Sequence, residues 1–159
     1  MYSVRPREIV LPFDPAETAD DARLMFIGHI ESPWLKREDC PKNLRIARER
    51  GQQATVHVDE AWRQGLTGLE DYKHIILLYW MHEARRDIIL QKPRHTFEPS
   101  GTFSLRSPVR PNPIALATVE LINIDVTSGR LDIDAIDCLN GTPLVDIKPW
   151  ISTVDGIGG

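Results

Sequence analysis

Seven short apolar runs punctuate the chain, at residues 24–30, 54–58, 74–81, 101–105, 114–122, 131–136 and 144–147. Each is four to nine residues long, and most abut a Pro, Asn or Asp at one end at least, which suits strands better than helices. The clearest period is Leu131-Asp132-Ile133-Asp134-Ala135, where strict alternation sets apolar side chains on one face and acids on the other. It leads to Asn140-Gly141, the strongest short hairpin signal, so residues 144–147 are predicted to return as the partner strand. Pro143 removes a ladder donor and places the start of that strand at an edge or bulge. The best helical patterns, residues 44–50 and 60–65, are both short. Many short strands and few helices predict a sandwich or a barrel, and the expected fold is mainly β, closed or nearly closed, with short helices.

At 159 residues the chain has the length of one ordinary domain, able to bury a core without disulfide staples. Residues 1–22 read as an N-terminal leader, with Pro6, Pro12 and Pro15 among the acids Asp14, Glu17, Asp20 and Asp21, so the domain is expected over 23–159. The longest unbroken apolar run, residues 75–81, falls far short of the ~20 residues that span a bilayer. The N-terminus lacks a signal-peptide pattern, and two cysteines, Cys40 and Cys138, fit a reducing compartment. A cytoplasmic location is expected.

A net charge of −4 argues against a generic nucleic-acid coat. The charge is unevenly spread, however. Residues 36–50 carry Lys36, Arg37, Lys42, Arg45, Arg48 and Arg50, and a second basic stretch holds Arg85, Arg86, Lys92, Arg94, Arg106 and Arg110. These are either solvated loops or a local surface for an anionic ligand.

The most unusual segment is residues 101–114, where Pro108, Pro111 and Pro113 stiffen a loop bearing Arg106, Arg110 and Asn112. Such a loop loses little entropy on binding, and its guanidiniums and amide suit carboxylates, phosphates or base edges. Residues 137–143 form a second candidate, because a tight turn exposes backbone groups able to read an adenine edge; a plain hairpin turn is the simpler account. His74 and His82 would share a face if 74–82 were one strand, but ~26 Å apart they could not share a metal. No HExxH, CxxC, GxSxG, GxGxxG or GxxxxGK[ST] pattern occurs, so no metal, serine-hydrolase, Rossmann or P-loop site has motif support.

Four motifs occur in order: Gly28-His-Ile30-Glu-Ser32-Pro33, Gly68-Leu69-Glu70-Asp-Tyr72-Lys-His74, Arg106-Ser-Pro-Val-Arg-Pro-Asn-Pro-Ile114, and Asn140-Gly-Thr-Pro143 with Asp146-Ile-Lys-Pro149. Over roughly residues 24–151 the chain resembles the TrmO-type (TsaA-like) methyltransferases, which use S-adenosylmethionine. The resemblance implies a small β-barrel, S-adenosylmethionine at or near a dimer interface, and methyl transfer to N6 of threonylcarbamoyl-adenosine beside the tRNA anticodon. It implies tRNA as substrate and a homodimer; the short apolar runs and the missing metal motifs lead to the expectation of no membrane and no metal. Trp34, Trp62, Trp80 and Trp150 could anchor an interface, although core packing is the commoner fate of a tryptophan.

By matching positions, the resemblance assigns the donor site to Pro41, Lys42, Asn43, His82, Glu83, Arg106, Leu116, Asp137, Leu139, Asn140, Gly141 and Thr142. Arg106 would suit the donor's carboxylate, an acid such as Asp137 or Glu83 its positive or ribose groups, and the turn backbone its adenine. The candidates for general base are Glu83, Asp137 and His82. Three features depart from the family pattern: Ala115 for the usual Gly, Asn140 for the usual Asp, and an end at Gly159 without the C-terminal domain of the long tRNA-modifying members. The last leaves two alternatives: methylation of another RNA or a small molecule, or a non-catalytic S-adenosylmethionine-binding module.

Overall fold

A computed structural model describes residues 3–158. Along the chain lie β1 (Ile9–Val10), α1 (Pro15–Thr18), β2 (Gly28–Glu31), α2 (Leu44–Glu49), β3 (Ala54–Val58), β4 (His74–Trp80), β5 (Ile88–Gln91), β6 (Ser100–Gly101), β7 (Ile114–Asp125), β8 (Arg130–Ile133), β9 (Thr142–Pro149) and α3 (Ser152–Asp155). Short 3-10 helices occupy Glu60–Leu66, Leu69–Asp71 and Thr102–Ser104. The chain divides into two compact units. One joins the N-terminal residues through Leu24 to Met81–Ile114, and the other joins Met25–Trp80 to the residues from Ala115 onward.

The larger unit is the expected barrel. Its strands close in the order β2-β3-β8-β7-β4-β9, which selects the barrel over the sandwich. Alternation supplies the core: Ile30, Val56, Ile75, Leu77, Val119, Leu131, Ile133 and Leu144 are all fully buried. Burying one such side chain contributes about 1.5–3 kcal/mol. β2 and β3 approach so closely that a Cβ on Gly28 would lie 1.9 Å from the His57 carbonyl oxygen, so only glycine fits there.

The predicted hairpin is not there. β8 pairs with β3 and β7, whereas β9 pairs with β2 and β4. The Asn-Gly signal specifies a turn, and Gly141 does adopt φ +82°. The turn's amides reach away from β8, however: Asn140 N–H donates to Trp34 O at 2.8 Å and Gly141 N–H to Ile30 O at 2.8 Å. Barrel closure, not turn chemistry, chooses the partner strands. Pro143 sits opposite His29 and precedes the first β4 partner of β9, Leu144. A register irregularity between Leu78 and Tyr79 follows, in keeping with a proline near a bulge.

Helical expectations held with one change of type. Residues 44–49 are α-helical behind an Asn43 cap, while 60–66 wind as a 3-10 helix. β4 ends at Trp80, so His82 lies beyond the strand that carries His74.

The smaller unit is built on the sheet β1-β5-β6. The segment read as a leader belongs to it: Ile9 pairs with Leu90, Leu11 N–H donates to Asp87 O at 2.6 Å, and Arg7 pairs with Glu98. Residues 81–114, read as part of one continuous domain, group with that segment and not with the barrel.

Candidate functional site

The strand registers place Glu31, Ala54, Ile133 and Thr142 at one end of the barrel, with Tyr79 of β4 opposite Leu144 beside them. Two excursions, residues 32–53 and 134–141, leave and rejoin the barrel at this rim. Side chains lace them together. Ser32 Oγ donates to Cys138 O at 2.8 Å, and Asn140 Oδ1 accepts from Ser32 N–H at 3.1 Å. Trp34 Nε1–H donates to Ile136 O at 2.8 Å, and Cys40 Sγ lies 3.3 Å from Asp137 O. Buried polar groups require such partners, so these bonds fix one excursion against the other.

The rim therefore brings together most of the sequence-predicted site. Pro41 is buried, Lys42 is exposed, and Asn43 accepts from Ile46 N–H at 2.9 Å to cap α2. Asp137, Leu139, Asn140, Gly141 and Thr142 lie on the second excursion and the start of β9, where Thr142 Oγ1 donates to Leu139 O at 2.7 Å. Leu116, on β7, is exposed. The neighbourhood disfavours thiolates and phenolates. Burial, with the Asp137 charge added, pushes the Cys40 thiol up to about 11 and the Tyr79 phenol well above its ordinary value. Burial raises the Cys138 thiol as well.

The smaller unit carries His82, Glu83 and Arg106. His82 and Glu83 are the exposed middle residues of a turn closed by Ala84 N–H to Met81 O at 3.0 Å, with His82 Nε2 4.0 Å from Glu83 Oε1. Arg106 is exposed on the proline-rich loop. Two other polar groups of this region are bonded within the smaller unit. Arg110 donates to Leu105 O and Ser107 O, both at 3.0 Å, and Asn112 Oδ1 accepts from Arg86 at 3.2 Å. Gln91, buried in β5, donates to Val109 O at 2.5 Å and Thr102 Oγ1 at 2.7 Å, anchoring the loop to its sheet.

Much of the basic surface is engaged in the same way. Arg48 bonds Asp134 and Thr118 O, Arg45 pairs with Glu49, and Arg50 donates to Asp39 O while lying 5.1 Å over the Trp34 ring. Sequence reasoning missed Tyr79, whose hydroxyl donates to Asp137 Oδ1 at 2.7 Å, because it reads as one more apolar member of β4. Ser32 was legible as a motif member at the start of the 32–43 segment, but not as the group that bonds Cys138 O.

Fold and rim define a class: a closed six-stranded antiparallel barrel with two laced excursions at one end that carry Pro41–Asn43 and residues 137–141, unlike a Rossmann site at strand ends of a parallel sheet. The comparisons agree. The family model for the tRNA-methyltransferase O N-terminal domain matches residues 29–156, and the chain belongs to that family. The probable S-adenosyl-L-methionine-binding protein VirR of Rhizobium radiobacter is 44% identical over 81% of this chain and 71% of its own length. The tRNA (adenine(37)-N6)-methyltransferase of Rattus norvegicus is 30% identical over 81% of this chain but only 31% of its own length. A crystal structure of TrmO from Pseudomonas aeruginosa matches with TM-score 0.68 at 28% identity, covering 87% of this chain and 60% of that one. The chain thus spans about three-fifths of the TrmO structures it matches.

Proposed function

We propose that this protein binds S-adenosylmethionine at the barrel rim and transfers its methyl group to N6 of threonylcarbamoyl-adenosine in tRNA. The observation that supports the reading is the rim itself: Pro41, Lys42 and Asn43 lie on one of its excursions, and Asp137, Leu139, Asn140, Gly141 and Thr142 on the other and the start of β9, the two held together by long-range hydrogen bonds. Relatives named for S-adenosyl-L-methionine binding and one named for tRNA adenine methylation support it. The residues fit the group. The amides of Asn140, Gly141 and Thr142 already bond the Trp34, Ile30 and Leu139 carbonyls, so the turn would meet a base edge through carbonyl oxygens, and Asp137 keeps a carboxylate oxygen without a hydrogen-bond donor among the described residues.

Bound donor would supply a methyl carbon already activated by a sulfonium. What remains for the chain is to orient, exclude water and take the N6 proton. Orientation alone supplies about 7–11 kcal/mol of barrier reduction in favourable cases. His82, Glu83 and Asp137 are the groups able to accept the proton, and Arg106 offers a guanidinium to a carboxylate. A homodimer of twice 18.1 kDa, measurable by light scattering, belongs to the same reading. The test is methyl incorporation from labelled donor into tRNA bearing the threonylcarbamoyl group, compared with unmodified tRNA. Incorporation into the modified tRNA alone is expected. Transfer to neither, despite donor binding, would replace this reading with a binding module.

A further inference from the structure

Tyr79 is the last inward-facing residue of β4 and is 2% exposed, so its hydroxyl needs a partner. That partner is Asp137 Oδ1, 2.7 Å away and 58 residues distant in sequence. Among the described residues no ion pair engages Asp137 and nothing donates to its Oδ2. A half-buried aspartate on a rim would otherwise sample several rotamers. Held at one oxygen, it meets a ligand with little ordering left to do. The phenol remains a donor because burial and the neighbouring carboxylate keep it protonated.

We infer that Tyr79 is a positioning residue, which fixes the Asp137 carboxylate as an acceptor for an O–H or N⁺–H group of the bound donor molecule. The inference rests on the reading that this rim binds S-adenosylmethionine. That molecule offers two groups of the required chemistry, the ribose hydroxyls and the amino-acid ammonium.

The experiment is calorimetric titration of the full chain with S-adenosylmethionine, with melting curves to verify folding. Tyr79→Phe removes only the hydroxyl and is expected to weaken binding about tenfold, the range of a hydrogen bond to a charged group. In an Asp137→Ala background the same change should have no further effect, whereas a merely structural role would weaken binding again. Two donor analogues locate the contact. If Asp137 accepts from the ribose, the Tyr79→Phe penalty disappears with the analogue lacking ribose hydroxyls. If it accepts from the ammonium, the penalty disappears with the analogue lacking the amino group. A penalty that persists with both, or a Tyr79→Phe protein that binds like the wild type, overturns the inference. Should Tyr79→Phe fail to fold, Asp137→Asn carries the test: it retains an acceptor for Tyr79 but not the charge, and wild-type affinity would overturn the inference. Wild-type protein that binds no donor would overturn the functional reading and this inference together; wild-type binding with unaffected variants overturns this inference alone.

Discussion

The barrel rim and the proline-rich loop are both candidate ligand surfaces, yet they are held in opposite ways. Rim geometry comes from bonds between distant segments: Ser32 to Cys138, Trp34 to Ile136 and Tyr79 to Asp137. Loop geometry is mostly local. Its prolines fix φ, Arg110 bonds carbonyls three and five residues away, and Gln91 ties it to the adjacent strand 18 residues back. A surface of the first kind exists only when the barrel is closed. One of the second kind is largely shaped by its own sequence.

Trp34→Ala should break the contrast most severely. It removes a buried ring and the bond to Ile136 O, a change that typically costs ~3–5 kcal/mol, and it should abolish donor binding along with stability. Chemical denaturation followed by calorimetry checks both. Gln91→Leu leaves the buried Val109 carbonyl and the Thr102 hydroxyl short of a partner, at a cost of about 1–3 kcal/mol. Hydrogen exchange should show the loss in residues 100–112, while amides of β3 and β8 keep their protection. Equal loss in the barrel would contradict the local account of the loop. Gly141→Ala places a side chain at φ +82°, which costs about 1–2 kcal/mol, and should weaken donor binding in proportion to the displaced turn.

The smallest effect is one of pH. The folded-state Cys40 thiol is raised from 9.0 to about 11, so the unfolded chain ionises first as pH rises. The resulting stability is fully present below pH 9 and is lost between pH 9 and about 11. Cys40→Ser should flatten that part of the stability curve, and alkylation of native Cys40 should remain slow until above pH 9.

These differences also explain what the sequence could reveal. The alternation at residues 131–133 exposed an inward face because one side of β8 is polar, and the strand is there with Leu131 and Ile133 fully buried. The partner of that strand was hidden, since Asn140-Gly141 encodes a turn and carries no information about which strands close a barrel. Tyr79 was hidden for a related reason: residues 74–81 are apolar on both faces, and only the register of β4 against β9 brings a phenol to the rim. Arg106 was legible by residue type and motif. Arg110 and Asn112 looked identical in kind, and the sequence does not show the bonds they make to the loop and to Arg86.

The central claim is that the laced excursions at the barrel rim form the donor site. A crystal structure of the protein grown with S-adenosylmethionine tests it most directly. The account predicts density for the donor against Pro41–Asn43 and the 137–142 segment, with Asp137 still bonded to Tyr79. Density lodged elsewhere on the molecule, or an empty rim in crystals of protein that binds the donor in solution, would contradict it.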